Sequence, residues 1–301
     1  MTEIKSSKID GIETFEAEIN GERIEWDSEL TYNSHLQTER LLSSQIGVSG
    51  EPDETLFIII HQTMELWIKL CLHELRIVIE CIKSDQLSKS FKTFDRISAI
   101  QRHMIQSWEI LATLTPHDFL TFRGYLRKAS GFQSHQYREL EFLLGNKNKD
   151  LIVVHKDDQV VYNTLTQVLN TPSLYDETLI LLSKKGFAIP SAILDRDWSK
   201  PYEASPEIED IWRLIYEDTE KYWELYMLAE RVTSLEYYFQ EWRFKHMKTV
   251  SRVIGHSKGT AGSSGVNYLL KALDLSFFPE LWSMRTKLST DKEENGPRCP
   301  L

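Results

Sequence analysis

Paired thiols are missing from this chain. Its three cysteines, Cys71, Cys81 and Cys299, form no Cys-x-x-Cys element, which argues against a zinc site built on thiolates. An odd and low cysteine count also argues against a secreted disulfide scaffold. Cationic excess is missing too: 35 Lys and Arg stand against 45 Asp and Glu, a formal net charge of -10. Such a chain is poorly suited to nucleic acid or an anionic membrane through general electrostatics, and neither partner is expected. The longest apolar run, Leu56-Phe57-Ile58-Ile59-Ile60, is far too short to span a bilayer. The first twenty residues lack the apolar centre of a signal peptide, so a cytoplasmic protein is expected. Turn formers are scarce, with 9 prolines and 13 glycines in 301 residues, and scarcest in the long middle of the chain. That scarcity favours long helices over many short strands.

What is present is helical periodicity. Phe57, His61, Met64, Ile68, Leu72, Leu75 and Ile79 recur at steps of three and four, predicting a helix from about Glu54 to Ser84, capped by Asp53 or Thr55. Phe94, Ile97, Ile100, Met104, Trp108 and Leu111 predict a second from about Leu87 to Thr113. The longest stripe runs from Ile208 through Ile211, Ile215, Tyr222, Leu225, Ala229, Val232, Leu235, Phe239, Trp242, His246 and Val250 to Val253, ending at Gly255. A helix of that length, rich in aromatics, belongs in the centre of a bundle. Shorter helices are expected over residues 157–171, 176–186 and 266–275, and one ending at Gly145. Residues 1–28 read as a partly extended arm, and residues 286–301 as a polar tail. With no repeat and no shift in composition, the chain reads as one all-α domain, 1–301, built on long central helices.

Few residues on these faces can carry chemistry. His246 lies on an apolar stripe, where a histidine either makes one core hydrogen bond or ligates a metal or haem. His61 lies on another stripe, with Glu65 one turn later, but no Glu-x-x-His pairing accompanies it, so a di-metal site is not expected. Arg123, following Phe119 and Phe122, suits either a carboxylate in a dry pocket or a structural ion pair. The loop Gly255-His-Ser-Lys-Gly-Thr-Ala-Gly-Ser-Ser-Gly265 fails as a P-loop, since Lys258 precedes the glycine and no strand leads in. It is either a flexible connector or a segment whose backbone and Thr260 approach a ligand closely. Cys71 and Cys81 fall on helices and read as packing. Together these residues suggest a buried polar pocket without naming its occupant.

Several long segments resemble the tryptophan 2,3-dioxygenase family. They are LFIIIHQTMELWIKLCLHEL at 56–75, FRGYLRKASGFQSHQYRELEFLLGNKN at 122–148, PSLYDETL at 172–179, DRDW at 195–198, WRFKHMKTVSRVIG at 242–255 and KGTAGSSGVNYL at 258–269. They keep the family's order along nearly the whole chain. The resemblance implies a helical homotetramer carrying one b-type haem per subunit, with His246 as the iron ligand. It implies ferrous iron, O₂ as co-substrate, and insertion of both oxygen atoms across the indole C2–C3 bond of L-tryptophan to give N-formyl-L-kynurenine. It also implies that Arg123 grips the substrate carboxylate and that Thr260 meets the amino-acid end. His61 would hydrogen-bond the indole N–H, with Phe57 as an aromatic wall. The rest of that run, Ile58, Ile59 and Ile60, is expected beside the substrate along with Phe119. Trp108 and Ser130 would flank the haem. Tyr32, His35 and Leu36 would reach a neighbouring subunit's pocket.

The sequence departs from the family pattern at five places. Phe119 and His35 each stand for a tyrosine, Thr38-Glu39 for Leu-Asp, Ala261 for glycine, and His256-Ser257 for Phe-Lys. These positions cluster on the substrate side. They motivate a second reading, a haem monooxygenase acting on tryptophan, a substituted tryptophan or another aromatic amino acid. A non-catalytic haem sensor and a bundle without cofactor are the remaining alternatives.

Overall fold

Residues 4–288 are described by the computed structural model, and Cys299 and residues 289–301 of the expected polar tail lie outside them. The chain divides into two compact units, the first ending at Val48 and the second beginning at Ser49.

The first unit opens with three antiparallel strands in sequential order, β1 (Ile4–Ile9), β2 (Ile12–Ile19) and β3 (Glu22–Asp27). Asp10-Gly11 and Asn20-Gly21 join them, and all four residues have positive φ, the backbone that two-residue hairpin turns require. Phe15 pairs with Trp26 across the ladder and stacks on it at 5.6 Å, the kind of cross-strand contact that fixes register. Two short helices follow, α1 (Tyr32–Leu36) and α2 (Thr38–Leu42). Left-handed Gln37 separates them.

The second unit is helical: α3 (Pro52–Lys83), α4 (Leu87–Leu111), α5 (Pro116–Arg123), α6 (His135–Leu144), α7 (Gln159–Leu169), α8 (Leu174–Lys184), α9 (Ser191–Leu194), α10 (Pro206–Glu217), α11 (Trp223–Ile254), α12 (Val266–Leu273) and α13 (Pro279–Ser283). The all-α expectation holds, with the small sheet added to it. α3 starts earlier than the periodicity implies. Its cap is Glu51 rather than Asp53 or Thr55, because Pro52 takes the first helical position, where no N–H is needed.

The stripe from Ile208 to Val253 is two helices, not one. Asp218 leaves helical geometry at φ -130°, and its side chain accepts the Lys221 N–H at 3.2 Å. This local turn competes with the helix. Ile215 and Tyr222 stay in phase across it because seven residues span two helical turns.

α4 lies along both α3 and α11, and these three long helices carry most of the main core. By length and composition alone α3 could cross a membrane. Here it packs on α4, α6 and α8, and Glu54 and Glu74 are among its buried residues. Two buried carboxylates fasten the C-terminal segment. Glu236 accepts the N–H groups of Phe277 at 2.8 Å and Phe278 at 3.1 Å and the Trp282 indole N–H at 2.8 Å. Glu280 accepts the hydroxyls of Tyr175 at 2.8 Å and Tyr202 at 2.6 Å. Buried carboxylates need this many donors to offset lost hydration.

Candidate active site

A cavity of about 300 Å³ opens between α3, α4, α5, α6, α11, α12 and the loop after α11. Helical geometry selects which α3 residues face it: Phe57, His61, Met64, Glu65 and Ile68 do, at steps of three and four. Ile58, Ile59 and Ile60, expected beside the substrate, are not among its lining residues. A helix turns 100° per residue, so Ile59 faces out and Ile60 enters the core.

His246 projects from α11 onto the wall of this cavity. It makes no hydrogen bond to another described residue, so its ring nitrogens are open to a ligand in the cavity. Its ring stacks on Trp108 at 4.6 Å, nearly parallel, and meets Trp242 at 5.5 Å. Burial, and then the facing His61, push its pKa down to about 4. The imidazole is therefore neutral near pH 7, the form that ligates a metal.

His61 is fixed differently. Its Nδ1 lies 2.6 Å from the Phe57 carbonyl, and a carbonyl only accepts, so Nδ1 carries the proton and Nε2 is the free acceptor. Burial holds its pKa below the usual histidine value, against weaker opposing effects of that hydrogen bond and of Glu65. Glu65 is itself tied to Gln136, whose amide donates to its carboxylate at 2.7 Å.

Phe57, Phe119 and Phe122 form one aromatic wall, with ring centres 5.3–5.9 Å apart. Arg123 lies beside it, its guanidinium carbon 6.0 Å from the Phe119 ring centre. Arg123 Nη2 donates to the Lys258 carbonyl, and Thr260 Oγ1 donates to the Ala129 carbonyl at 2.6 Å. These two contacts hold the glycine-rich loop over the cavity. Ser130 caps a short 3₁₀ turn at residues 131–133, accepting the Phe132 N–H, and its own hydroxyl proton has no acceptor among the described residues.

The chain matches the tryptophan 2,3-dioxygenase family model over residues 17–173 and 210–288. The chain belongs to that family. A relative from Bacillus thuringiensis subsp. konkukian (strain 97-27), named tryptophan 2,3-dioxygenase, is 50% identical over 268 residues, 89% of this chain and 96% of the relative. Relatives of the same name from Geobacillus thermodenitrificans (strain NG80-2) and Erythrobacter litoralis (strain HTCC2594) are each 48% identical, over 91% and 86% of this chain and 98% and 99% of their own lengths.

Within this family member the cavity gathers Phe57, His61, Trp108, Phe119, Arg123, Ser130, His246 and Thr260. Tyr32, His35 and Leu36 belong to the first unit and are exposed. Ala261 is compatible with the loop, since positive φ falls on Gly262 and Gly265 instead. His256 and Ser257 are exposed and lie outside the cavity lining.

Sequence reasoning overlooked Tyr137, Arg138, Glu141, Arg243 and Tyr268, all of which line the cavity. The available signal was spacing: Arg138 and Glu141 share a face of α6, and Arg243 precedes His246 by one turn of α11.

Gly265 gives a direct test of the loop. Its φ is +60°, and a Cβ there would sit 2.5 Å from the Ser257 carbonyl oxygen. Gly265→Ala is expected to displace the loop and raise KM for an amino-acid substrate about 10-fold, the scale of ~1–3 kcal/mol of backbone strain. Helix content, read from circular dichroism, should stay at the wild-type level. A KM unchanged in that variant would remove the loop from substrate binding.

Proposed function

We propose that this protein is a haem-dependent dioxygenase that opens the indole C2–C3 bond of L-tryptophan to yield N-formyl-L-kynurenine. The observation that carries the reading is a pair of neutral histidines, His61 and His246, lining one cavity together with Arg123 and Thr260. The residues present fit a haem. His246 offers an unbonded imidazole. Trp108 and Trp242 each present a buried indole N–H without an acceptor, and most of the remaining lining is apolar. His246 would hold the iron, with Trp108 and Ser130 flanking the macrocycle. When bound in its ferrous form, haem b supplies the metal that activates O₂ toward the indole ring.

The chain's own residues do the rest. Arg123 presents a planar fork to the substrate carboxylate. Thr260, at the centre of the loop, meets the amino-acid end. His61 Nε2 accepts the indole N–H and orients the ring. Phe57 and Phe119 exclude water from the reacting face. Phe119 brings no hydroxyl, so the carboxylate depends on Arg123 and the loop. Subunits associate as a homotetramer in which Tyr32, His35 and Leu36 complete a neighbour's pocket.

Ferrous protein mixed anaerobically with L-tryptophan and then exposed to ¹⁸O₂ should form N-formylkynurenine carrying two labelled atoms. One labelled atom would establish the monooxygenase reading, which the altered substrate side motivates. No product from fully haem-loaded protein would refute both.

His61 orients substrate and need not act as a base. His61→Ala is expected to retain haem and lose roughly 10-fold in kcat/KM, about one hydrogen bond. Its pH dependence has a definite sign. The pKa lies below 6.5, so His61 is neutral above that value, and kcat/KM should carry no His61 inflection between pH 6.5 and 8. The rate should fall only on the acid side, where protonation removes the Nε2 lone pair. A His61-dependent inflection above pH 7 in the rate profile would contradict this.

A further inference from the structure

One polar group of the cavity has no role in the reading above. Arg138 and Arg243 are each 3% exposed and share one carboxylate, Glu141, also 3% exposed. Arg138 Nη1 donates to Glu141 Oε2, and Arg243 Nη2 donates to Oε1 at 2.7 Å. Arg243 is otherwise satisfied, by the Ala272 carbonyl at 3.0 Å and the Tyr137 hydroxyl at 3.3 Å.

Arg138 is not. Its Nε is buried without an acceptor, and its Nη2 makes no hydrogen bond among the described residues. Those two N–H groups form one edge of the guanidinium, the edge that can meet both oxygens of a carboxylate at once. Aromatic rings fix its position, with Phe132 at 5.4 Å and Tyr137 at 5.6 Å. Neighbouring acids are committed elsewhere: Glu139 pairs with Arg76, and Glu65 is tied to Gln136. Arg138 and Arg243 therefore share a single carboxylate, and the open edge of Arg138 has no acid of its own. An uncompensated buried charge is costly, and an incoming anion relieves it.

We propose that Arg138 receives a carboxylate of the cavity's ligand, and that this carboxylate is an acid side chain of the bound haem. The inference rests on the haem reading and adds a residue to it. Arg123 is distinct: it lies on α5, is half-buried, and is engaged with the loop at Lys258. Arg138 lies on α6, is fully enclosed, and presents an open edge. The amino-acid carboxylate thus goes to Arg123 and the haem carboxylate to Arg138.

Haemin and haemin dimethyl ester differ in whether those acids can ionise. Each is titrated into haem-free full-length protein and followed by the Soret band. Wild type is expected to bind the free acid roughly 10- to 100-fold more tightly, the range of a charge-assisted hydrogen bond. Arg138→Leu should lose that preference by weakening only for the free acid, and Arg138→Lys should restore part of it. Equal affinity of the wild type for the two porphyrins overturns the proposal without any variant having to fold. So does an Arg138→Leu protein that keeps the preference but loses L-tryptophan, which would assign the carboxylate to substrate. Failure of the haem reading itself looks different: neither porphyrin would give a His246-dependent Soret band.

Discussion

His246→Ala is expected to give a folded protein with no bound haem and no dioxygenase activity. The fold should survive because His246 makes no hydrogen bond that the variant would break, and alanine is the best helix former for the middle of α11. What is lost is ring stacking on Trp108, worth about 0.5–1.5 kcal/mol, plus some packing. Haem affinity should fall by at least about 100-fold, since changes merely to groups that orient a metal ligand cost 10- to 100-fold. Absorbance of the purified variant, and circular dichroism for its helices, separate the two effects. Imidazole added to a His246→Gly protein should restore the Soret band, because the missing ligand then returns to the space it left. A wild-type spectrum and wild-type turnover in His246→Ala would overturn the assignment.

Arg123→Leu carries the second large effect. Two charge-assisted hydrogen bonds to a carboxylate are lost, and ~3 kcal/mol corresponds to about 150-fold in kcat/KM. Part of the loss arises through the loop, whose Lys258 carbonyl accepts from Arg123. Tryptamine, which lacks the carboxylate, separates the two contributions. Against wild type it should be a poor substrate, and Arg123→Leu should weaken it little further, by no more than the loop's share. An equal loss on tryptophan and tryptamine would show that Arg123 acts only by holding the loop. Arg123→Lys should recover only a fraction, because an ammonium keeps the charge without the fork.

The three long helices were legible because burial imposes a period of 3.6 residues, and Phe57, Trp108 and His246 all fell on stripes that could be read. Other features were hidden by the same logic. The break at Asp218 left the stripe in phase, so periodicity could not see it. The run Ile58–Ile60 was expected beside the substrate, yet consecutive helical residues cannot all face one direction. Arg138, Glu141 and Arg243 went unread because charged residues on helices usually face water. Only tertiary contact shows that these are enclosed. The hairpins of the first unit were readable in Asp10-Gly11 and Asn20-Gly21, whose turn chemistry outweighs the weak alternation around them. The association of family and haem with this cavity came from long matched segments, not from any local pattern.

The position of α4 between α3 and α11 has a consequence for how the protein is made. α3 and α4 are joined by only a few residues and can pair as soon as both leave the ribosome. Their partner arrives much later: Gln101 on α4 bonds the carbonyl of Leu235 on α11, 134 positions along the chain. Contacts so distant in sequence form late, because loop closure must come first. Until then the nascent chain carries half a cavity, with Trp108 and His61 present and His246 still to come. In the proposed haem-bound state, capture of the cofactor through His246 therefore has to wait for α11.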